Sequence, residues 1–350
     1  MAIAVPLKIG PIEVSPGLLL APMEDVSDLP FRVICKRMGA NIVYTEFVNA
    51  EGLIRSEDAL GRARRKLAFL EEERPIGIQL YGASDLSMEQ AARIAASLEP
   101  DILDINCGCW VSNVALRGAG AGLLREPTRM RDVVKRVIGV TDRPVTVKTR
   151  LGWDGDSIRI VEVARMLEDI GVRALTVHCR TRAQGHKGAV DYDWIPRIKE
   201  AVAIPVIVNG DINSAEDVKE AFEATGSDAV MIGRGAIRHP WIFRESLEFL
   251  NSGQQPPPPS MAERIRLCQE HLHLSVEHKG ERGGVIGMRR HYAGYFRDLP
   301  QVSRLRAELV QQKTVRDVED RLAQLGETAG ETVSETASQD SSARETAAAA

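Results

Sequence analysis

Eight short apolar runs rich in β-branched residues, alternating with helix-length amphipathic segments through the first 235 residues, predict an α/β fold. The expected architecture is a (β/α)8 TIM barrel followed by a small all-α helical domain and a disordered tail. Three observations carry this. The runs are continuous rather than alternating, as in parallel strands buried on both faces. Almost every run ends in a polar or charged residue. A proline-rich break then separates this pattern from a polar, helix-periodic remainder.

The runs are Leu18–Ala21, Ile42–Thr45, Ile76–Leu80, Ile102–Ile105, Val145–Thr149, Ala174–Val177, Val206–Val208 and Ala229–Ile232. Between them lie segments of roughly 3.6-residue periodicity, among them Met88–Leu98, Met130–Val137, Ile158–Ile170 and Ala215–Ala224. Pro75, Pro144 and Pro205 each precede a run, where a missing amide donor costs little. An open doubly wound sheet would announce itself with GxGxxG after the first strand; the chain reads Pro22-Met23-Glu24-Asp25 there. The barrel is assigned to 1–250 and a semi-rigid linker to 251–260, where four prolines follow one another. The helical domain, 261–325, is expected as Met261–His278, Val285–Leu299 and Val302–Leu325. From Gly326 to Ala350 the chain is Ala, Glu, Thr and Ser with almost no large apolar residue, and disorder is expected.

The composition, 44% hydrophobic and 27% charged over 350 residues, is that of a globular chain with a sizeable core. No secretory leader and no membrane-spanning run is read. The five cysteines (35, 107, 109, 179, 268) form no CxxC pair and no zinc spacing, so a reducing cytoplasm is expected and no metal site. The net charge of −4 is carried by the last 25 residues, where five carboxylates oppose one arginine; the other 325 residues sum to zero. Within those, Lys279 to Arg316 holds nine basic residues against three acidic ones, a local +6 that suits a phosphate-rich partner.

Barrel chemistry sits at the C-terminal strand ends, and these ends read Pro22 and Met23, Glu46, Gln79, Asn106, Lys148, His178, Asn209 and Gly233-Arg234. After the fourth strand, Asp104-Ile105-Asn106-Cys107-Gly108-Cys109-Trp110 brings two thiols and an amide into a loop. The run Gly118 to Gly122 that follows is expected to let backbone approach something flat or phosphorylated. Asn209-Gly210-Asp211 and Gly233-Arg234-Gly235, after the last two strands, suit a phosphate; Lys148, His178, Gln79 and Asn106 suit a planar ring. Together they describe flavin mononucleotide, although sugar-phosphate barrels share the phosphate half of the signal.

These segments resemble the tRNA-dihydrouridine synthases, above all their bacterial B-type branch. The matching motifs are Ala21-Pro22-Met23-Glu24-Asp25 through Arg32, Thr45-Glu46-Phe47, Gln79-Leu80-Tyr81-Gly82, Asp104 to Cys109, Gly118 to Ala121, Val147-Lys148-Thr149-Arg150, His178-Cys179-Arg180-Thr181-Arg182, Asn209 to Ile212, Met231 to Gly235 and Met288-Arg289-Arg290-His291-Tyr292. They span residues 10 to 325 in the family's order. The resemblance implies an FMN enzyme of the cytoplasm, expected to be monomeric, that reduces the C5–C6 bond of uridines in tRNA with NADPH or NADH. Hydride would pass from the flavin to C6, and a proton from Cys109 to C5. It further implies that Pro22, Met23, Glu24, Gln79, Lys148 and His178 meet the flavin, and that Asn209, Gly210, Asp211, Gly233 and Arg234 meet its phosphate. Asn106, Arg150, Arg180, Arg289 and Arg290 would meet RNA. The family usually carries proline where this chain has Trp110, which either packs on the barrel rim or stacks on a neighbouring base. Two other readings are a flavin barrel reducing a free pyrimidine, and a flavin-bearing RNA-binding protein with weak catalysis.

Overall fold

The computed structural model describes residues 6–55, 65–299 and 302–327; the expected tail lies outside them from residue 328 onward, while 315–327 are helical. The chain divides into two compact units, Met1–Pro256 and Pro257–Ala350.

The first unit opens with a hairpin, β1 (Leu7–Ile9) and β2 (Ile12–Val14), turning at Gly10-Pro11. The barrel strands follow: β3 (Leu18–Leu20), β4 (Val43–Tyr44), the two-residue β5 (Val48–Asn49), β6 (Ile76–Tyr81), β7 (Ile102–Cys107), β8 (Val145–Arg150), β9 (Ala174–His178), β10 (Val206–Asn209) and β11 (Ala229–Ile232). All pair in parallel, in the order β3-β11-β10-β9-β8-β7-β6-β4, with β5 also on β6. A bridge between Leu19 and Ile42, with Leu20 N–H donating to Ile42 O at 3.0 Å, brings the first and last strands together into a nearly closed barrel.

Strand side chains alternate between two environments, which is what the period of two dictates. Leu103, Ile105 and Cys107 of β7 face outward into the main core, under helices such as Pro127–Ile138, whose Met130, Val133, Val134 and Val137 fall on one stripe. Ile102, Ala174, Ile207, Ala229 and Met231 face inward and form a second core, which Leu7 and Ile9 of the hairpin join. The hairpin was not anticipated. Its signal, apolar and charged residues alternating on either side of Gly10-Pro11, is short enough to pass for a leader. Above this inner apolar layer the inward positions turn polar: Gln79, Asp104, Asn106, Thr146, Lys148, Thr176, His178 and Asn209.

In the second unit, helix Met261–Met288 is interrupted at Gly280, whose φ of 73° and ψ of 163° lie outside helical space. Gly284 lies so close to the preceding segment that a Cβ there would come within 2.6 Å of Val276 backbone. The short helix Tyr292–Tyr295 and helix Val302–Leu309 follow. The expected single helix Val302–Leu325 is corrected to two. Thr314 and Asp317 exchange hydrogen bonds (3.2 Å each way) in a capping box that starts a fresh helix at 315. The expected helix Val285–Leu299 is corrected too: Arg289 is the C-terminal cap of the long helix, and Tyr292–Tyr295 is a short helix of its own.

Candidate active site

The inward polar residues and the loops after β3, β4, β7, β9, β10 and β11 enclose a cavity of about 370 Å³. Of the residues singled out in the sequence, Met23, Glu24, Asn106, Cys109, Lys148, Arg150, His178, Asn209, Gly210, Asp211, Gly233 and Arg234 line it, with Trp110, His186 and Phe47 added. Gln79, Pro22 and Arg180 are not among the lining residues, and Arg289 and Arg290 belong to the other unit.

Register brings the lining groups together. Asn106 is paired with Lys148 and His178 with Asn209, while β8 and β9 pair Lys148 with Thr176 and Arg150 with His178, so His178 and Asn209 stand one inward position nearer the mouth than Asn106 and Lys148. Lys148 Nζ donates to Asn209 Oδ1 (2.9 Å), and Asn209 Nδ2 to Met231 O (2.8 Å). Burial, then the Arg150 charge, lowers the Lys148 ammonium to about 8, with Asp104 pulling the other way. Burial raises Asp104 to about 6 against the Gln79 and Thr146 hydrogen bonds and the Lys148 charge. Both groups are therefore ionised between those values. His178 is held neutral by burial and by the Arg150 and Lys148 cations; burial and Arg234 lower His186 to about 4.

Cys109 sits on a loop with a specific anchor. Asn106 Oδ1 accepts from Gly108 N–H (3.0 Å) and Cys109 N–H (2.8 Å), while its Nδ2 donates to Gln79 Oε1 (2.9 Å). Gln79 Nε2 in turn donates to Asp104 Oδ2 (2.5 Å), whose other oxygen accepts from Thr146 Oγ1 (2.5 Å). Asn106 thus lines the cavity with its amide already engaged by the loop. Arg150 is committed in the same way, to Gly108 O (2.9 Å), Thr181 O (3.0 Å) and Gly185 O (2.8 Å). Burial pushes the Cys109 thiol up, outweighing the Val111 backbone N–H and the Arg150 and Lys148 charges that favour thiolate. The group is a thiol at neutral pH. Cys107 faces the outer core, fully buried, and burial pushes its thiol up as well.

The glycine run behaves otherwise than expected. Ala121 N–H donates to Cys109 O (3.0 Å), a Cβ on Gly120 would come within 2.9 Å of Cys109 Cβ, and one on Gly122 within 2.3 Å of Ala115 O. These glycines let the chain fold against the Cys109 loop and its following turn; none of them lines the cavity. Asp211, at φ 52°, directs its carboxylate to Arg234 Nη2 (2.7 Å) and to Arg180 (2.9 Å from Nη1). Arg180, 2% exposed, also donates to Gly188 O (3.1 Å), so it braces the loop after β9. The Glu24, Asp25 and Glu46 carboxylates converge, and Lys66 bonds Glu24 and, at 3.2 Å, Glu46, so an ammonium serves this cluster.

A family profile described as dihydrouridine synthase (Dus) matches residues 19–333. The chain belongs to the dihydrouridine synthase family. It is 39% identical over 327 residues to the "Probable tRNA-dihydrouridine synthase 1" of Synechocystis sp., covering 93% of this chain and 91% of that one. With the "tRNA-dihydrouridine synthase B" of Pseudomonas syringae pv. tomato the identity is 38% over 301 residues, 86% of this chain and 88% of the relative. Among solved structures, an old yellow enzyme homologue from Zymomonas mobilis superposes with a TM-score of 0.52 at 14% identity, covering 73% of this chain and 94% of that one. That likeness is one of barrel fold. Membership of the dihydrouridine synthases, on the side of the B-type branch, makes the protein an oxidoreductase. No helix among the described residues is long and apolar enough to cross a membrane.

Two features of this synthase escaped the sequence reading. His186 stands between Trp110 and His178, its ring 5.4 Å from the first and 5.9 Å from the second; nothing in its Gly185-His186-Lys187 context signals this. Asp104 did carry a signal, since two residues before Asn106 on a strand means the same face.

Proposed function

We propose that this dihydrouridine synthase holds FMN over the barrel mouth and reduces the C5–C6 bond of uridines in tRNA, with NADPH or NADH as reductant. The observation that carries the reading is Cys109 on an anchored loop, its thiol pushed up by burial, facing a cavity whose floor holds the half-buried Lys148. The residues fit the cofactor. Gly233 leaves room where a Cβ would stand 3.6 Å from Ala21 Cβ and 3.8 Å from Met23 Sδ, opening the cavity beside Arg234. The donors Lys148 and Asn209 suit a ring bearing carbonyls and nitrogens, and Gly210 and Gly233-Arg234 suit its phosphate. When bound, the flavin supplies hydride to the uracil.

This chain's residues then do three things. Cys109 delivers a proton to C5 of the pyrimidine as a general acid, which needs the thiol form that burial maintains. Lys148 keeps a cation below the ring, favouring negative charge there. Asn106 and Arg150 hold the loop that positions Cys109, and Asp211 fixes Arg234. The helical unit is proposed to grip RNA phosphate through Arg290, which is exposed, whereas half-buried Arg289 reaches toward Gln312 O at 3.4 Å. We also place this protein in the cytoplasm as a monomer. Reduction of a free pyrimidine leaves the +6 segment without a role.

The test uses the purified full chain, expected to be yellow and to bleach on adding NADPH. Mass spectrometry of unmodified tRNA incubated with it should find uridine heavier by two hydrogens. Cys109→Ala should still bleach but reduce uridine at least about 100-fold more slowly, the usual scale of a general acid, whereas Cys107→Ala stays active. Equal loss in both variants would remove Cys109 from the proton-donor role. A colourless protein would remove the flavin.

A further inference from the structure

We propose that Trp110 is a stacking platform for the nucleotide beside the target uridine, at the centre of a basic lip that receives single-stranded RNA. This rests on the functional reading above and adds to it the residue that follows Cys109. One face of the indole is already seated: Cε3, Cζ3 and Cδ2 lie 3.1, 3.2 and 3.4 Å from where a Cβ on Gly185 would stand, so the ring covers a bare glycine held at φ 58°. The His186 ring meets it edge-on at 81°. Backed in this way, the indole is fixed in orientation, yet Trp110 remains 39% exposed beside Cys109.

A tryptophan kept for packing alone would bury its remaining surface. Here the neighbours stay out as well: Trp110, Val111 and Leu116 are three of the seven exposed large hydrophobics among the described residues, all within one short segment. The two segments that carry the indole and its backing hold cations alone, with acidic Glu126 and Asp191 just beyond them. Residues 110–125 and 181–190 hold Arg117, Arg125, Arg182 and Lys187 and no Asp or Glu. Arg182 reaches Ser112 Oγ at 3.5 Å and stacks over Trp153 at 4.4 Å, which ties the two segments together. An aromatic face flanked by cations matches the chemistry of an unstacked base and its phosphates, because every base offers a π-face and every linkage a negative charge.

Binding of an unmodified tRNA transcript to the full chain, measured by fluorescence anisotropy of labelled RNA, tests this with three variants. Trp110→Phe keeps a π-face and should bind within about three-fold of the parent, whereas Trp110→Leu and Trp110→Ala should each weaken binding by about five- to a hundred-fold. Trp110→Leu separates stacking from packing, because it can still cover Gly185. Parental affinity in the leucine variant, or in all three, overturns the platform while leaving RNA recognition intact. A parent chain that binds no RNA overturns both this and the functional reading. A lip that instead joins two copies would appear as a dimer in light scattering that Trp110→Ala splits, and this too overturns the assignment.

Discussion

Reversing the direction of the hydrogen-bond chain beneath Cys109 probes how tightly this loop is specified. Asp104 is acceptor-only, so Gln79 must show it Nε2 and turn Oε1 toward Asn106. Asn106 must then show Nδ2 to Gln79 and Oδ1 to the Gly108 and Cys109 amides. The two ends agree on one polarity. Asn106→Asp places acceptors on both sides of Gln79, and at pH 8, above the value of about 6 held by Asp104, both carboxylates are ionised. One neutral amide–amide bond, Asn106 Nδ2 to Gln79 Oε1, is lost and that buried oxygen faces a carboxylate instead, which costs about 3 kcal/mol. Asp104→Asn alone costs about 1 kcal/mol, because the Thr146 hydroxyl can accept as readily as it donates. In the double variant Gln79 can turn over, the amide introduced at 104 donates to it, and every group is paired again. We therefore expect the double variant to be more stable than Asn106→Asp, with a coupling of at least about 2 kcal/mol. The assay is urea unfolding at pH 8 followed by tryptophan fluorescence, which reports the barrel unit alone since all four tryptophans lie between residues 110 and 241. Single-variant effects that add to within about 0.5 kcal/mol would show that polarity does not hold this loop.

Two further outcomes follow from the buried titratable groups. Lys148 is a cation below about 8 and neutral above it, so uridine reduction under saturating NADPH should fall on the alkaline side with a midpoint near that value; a Lys148→Met variant should be slow at every pH and lack this limb, and a persisting limb would assign it elsewhere. In the helical unit, burial and the neighbouring His271 hold His291 well below an ordinary histidine. Because the folded value is the lowered one, stability is complete above about 6.5 and is lost as pH falls, by up to roughly 1.4 kcal/mol per pH unit for one proton. Proteolysis within 261–327 should accelerate between pH 7 and pH 5, and His291→Gln should flatten that dependence; an unchanged rate would mean the histidine does not titrate with unfolding.

Much of the barrel was legible because its signals are local. A continuous apolar run of four to six residues bounded by proline or glycine is a buried parallel strand whatever surrounds it, and seven of the eight runs became strands of four or more residues or differ by a single terminal residue. The second did not. Of Ile42–Thr45 only Val43–Tyr44 pairs, and Val48–Asn49 resumes against the same neighbour, a break set by the loop that carries Glu46 to Lys66. The helical unit was less legible, since its turns depend on single residues, Gly280 and Thr314, inside otherwise helical polar sequence.

The sequence by itself placed most of the strand-end residues that line the cavity, because alternation along a strand assigns every side chain to one face once one of them is placed, but not Gln79, which lies beneath Asn106, nor His186 on its loop. That Cys107 and Cys109 part company, one into the outer core and one into the cavity, was decided by the loop that leaves β7 after Cys107, since residues two apart on a strand would share a face. Only the tertiary structure decided what each polar group does there. Asn106, Arg150 and Arg180 read as groups awaiting a ligand, yet their partners are backbone amides and carbonyls 2 to 42 residues away, the Gln79 side chain and a carboxylate 31 residues away. The glycines after Cys109 likewise serve the approach of chain to chain. Hydrogen-bond partners depend on distances between strands that no local pattern encodes, and a buried polar group is satisfied by whichever donor or acceptor the closed barrel brings to it.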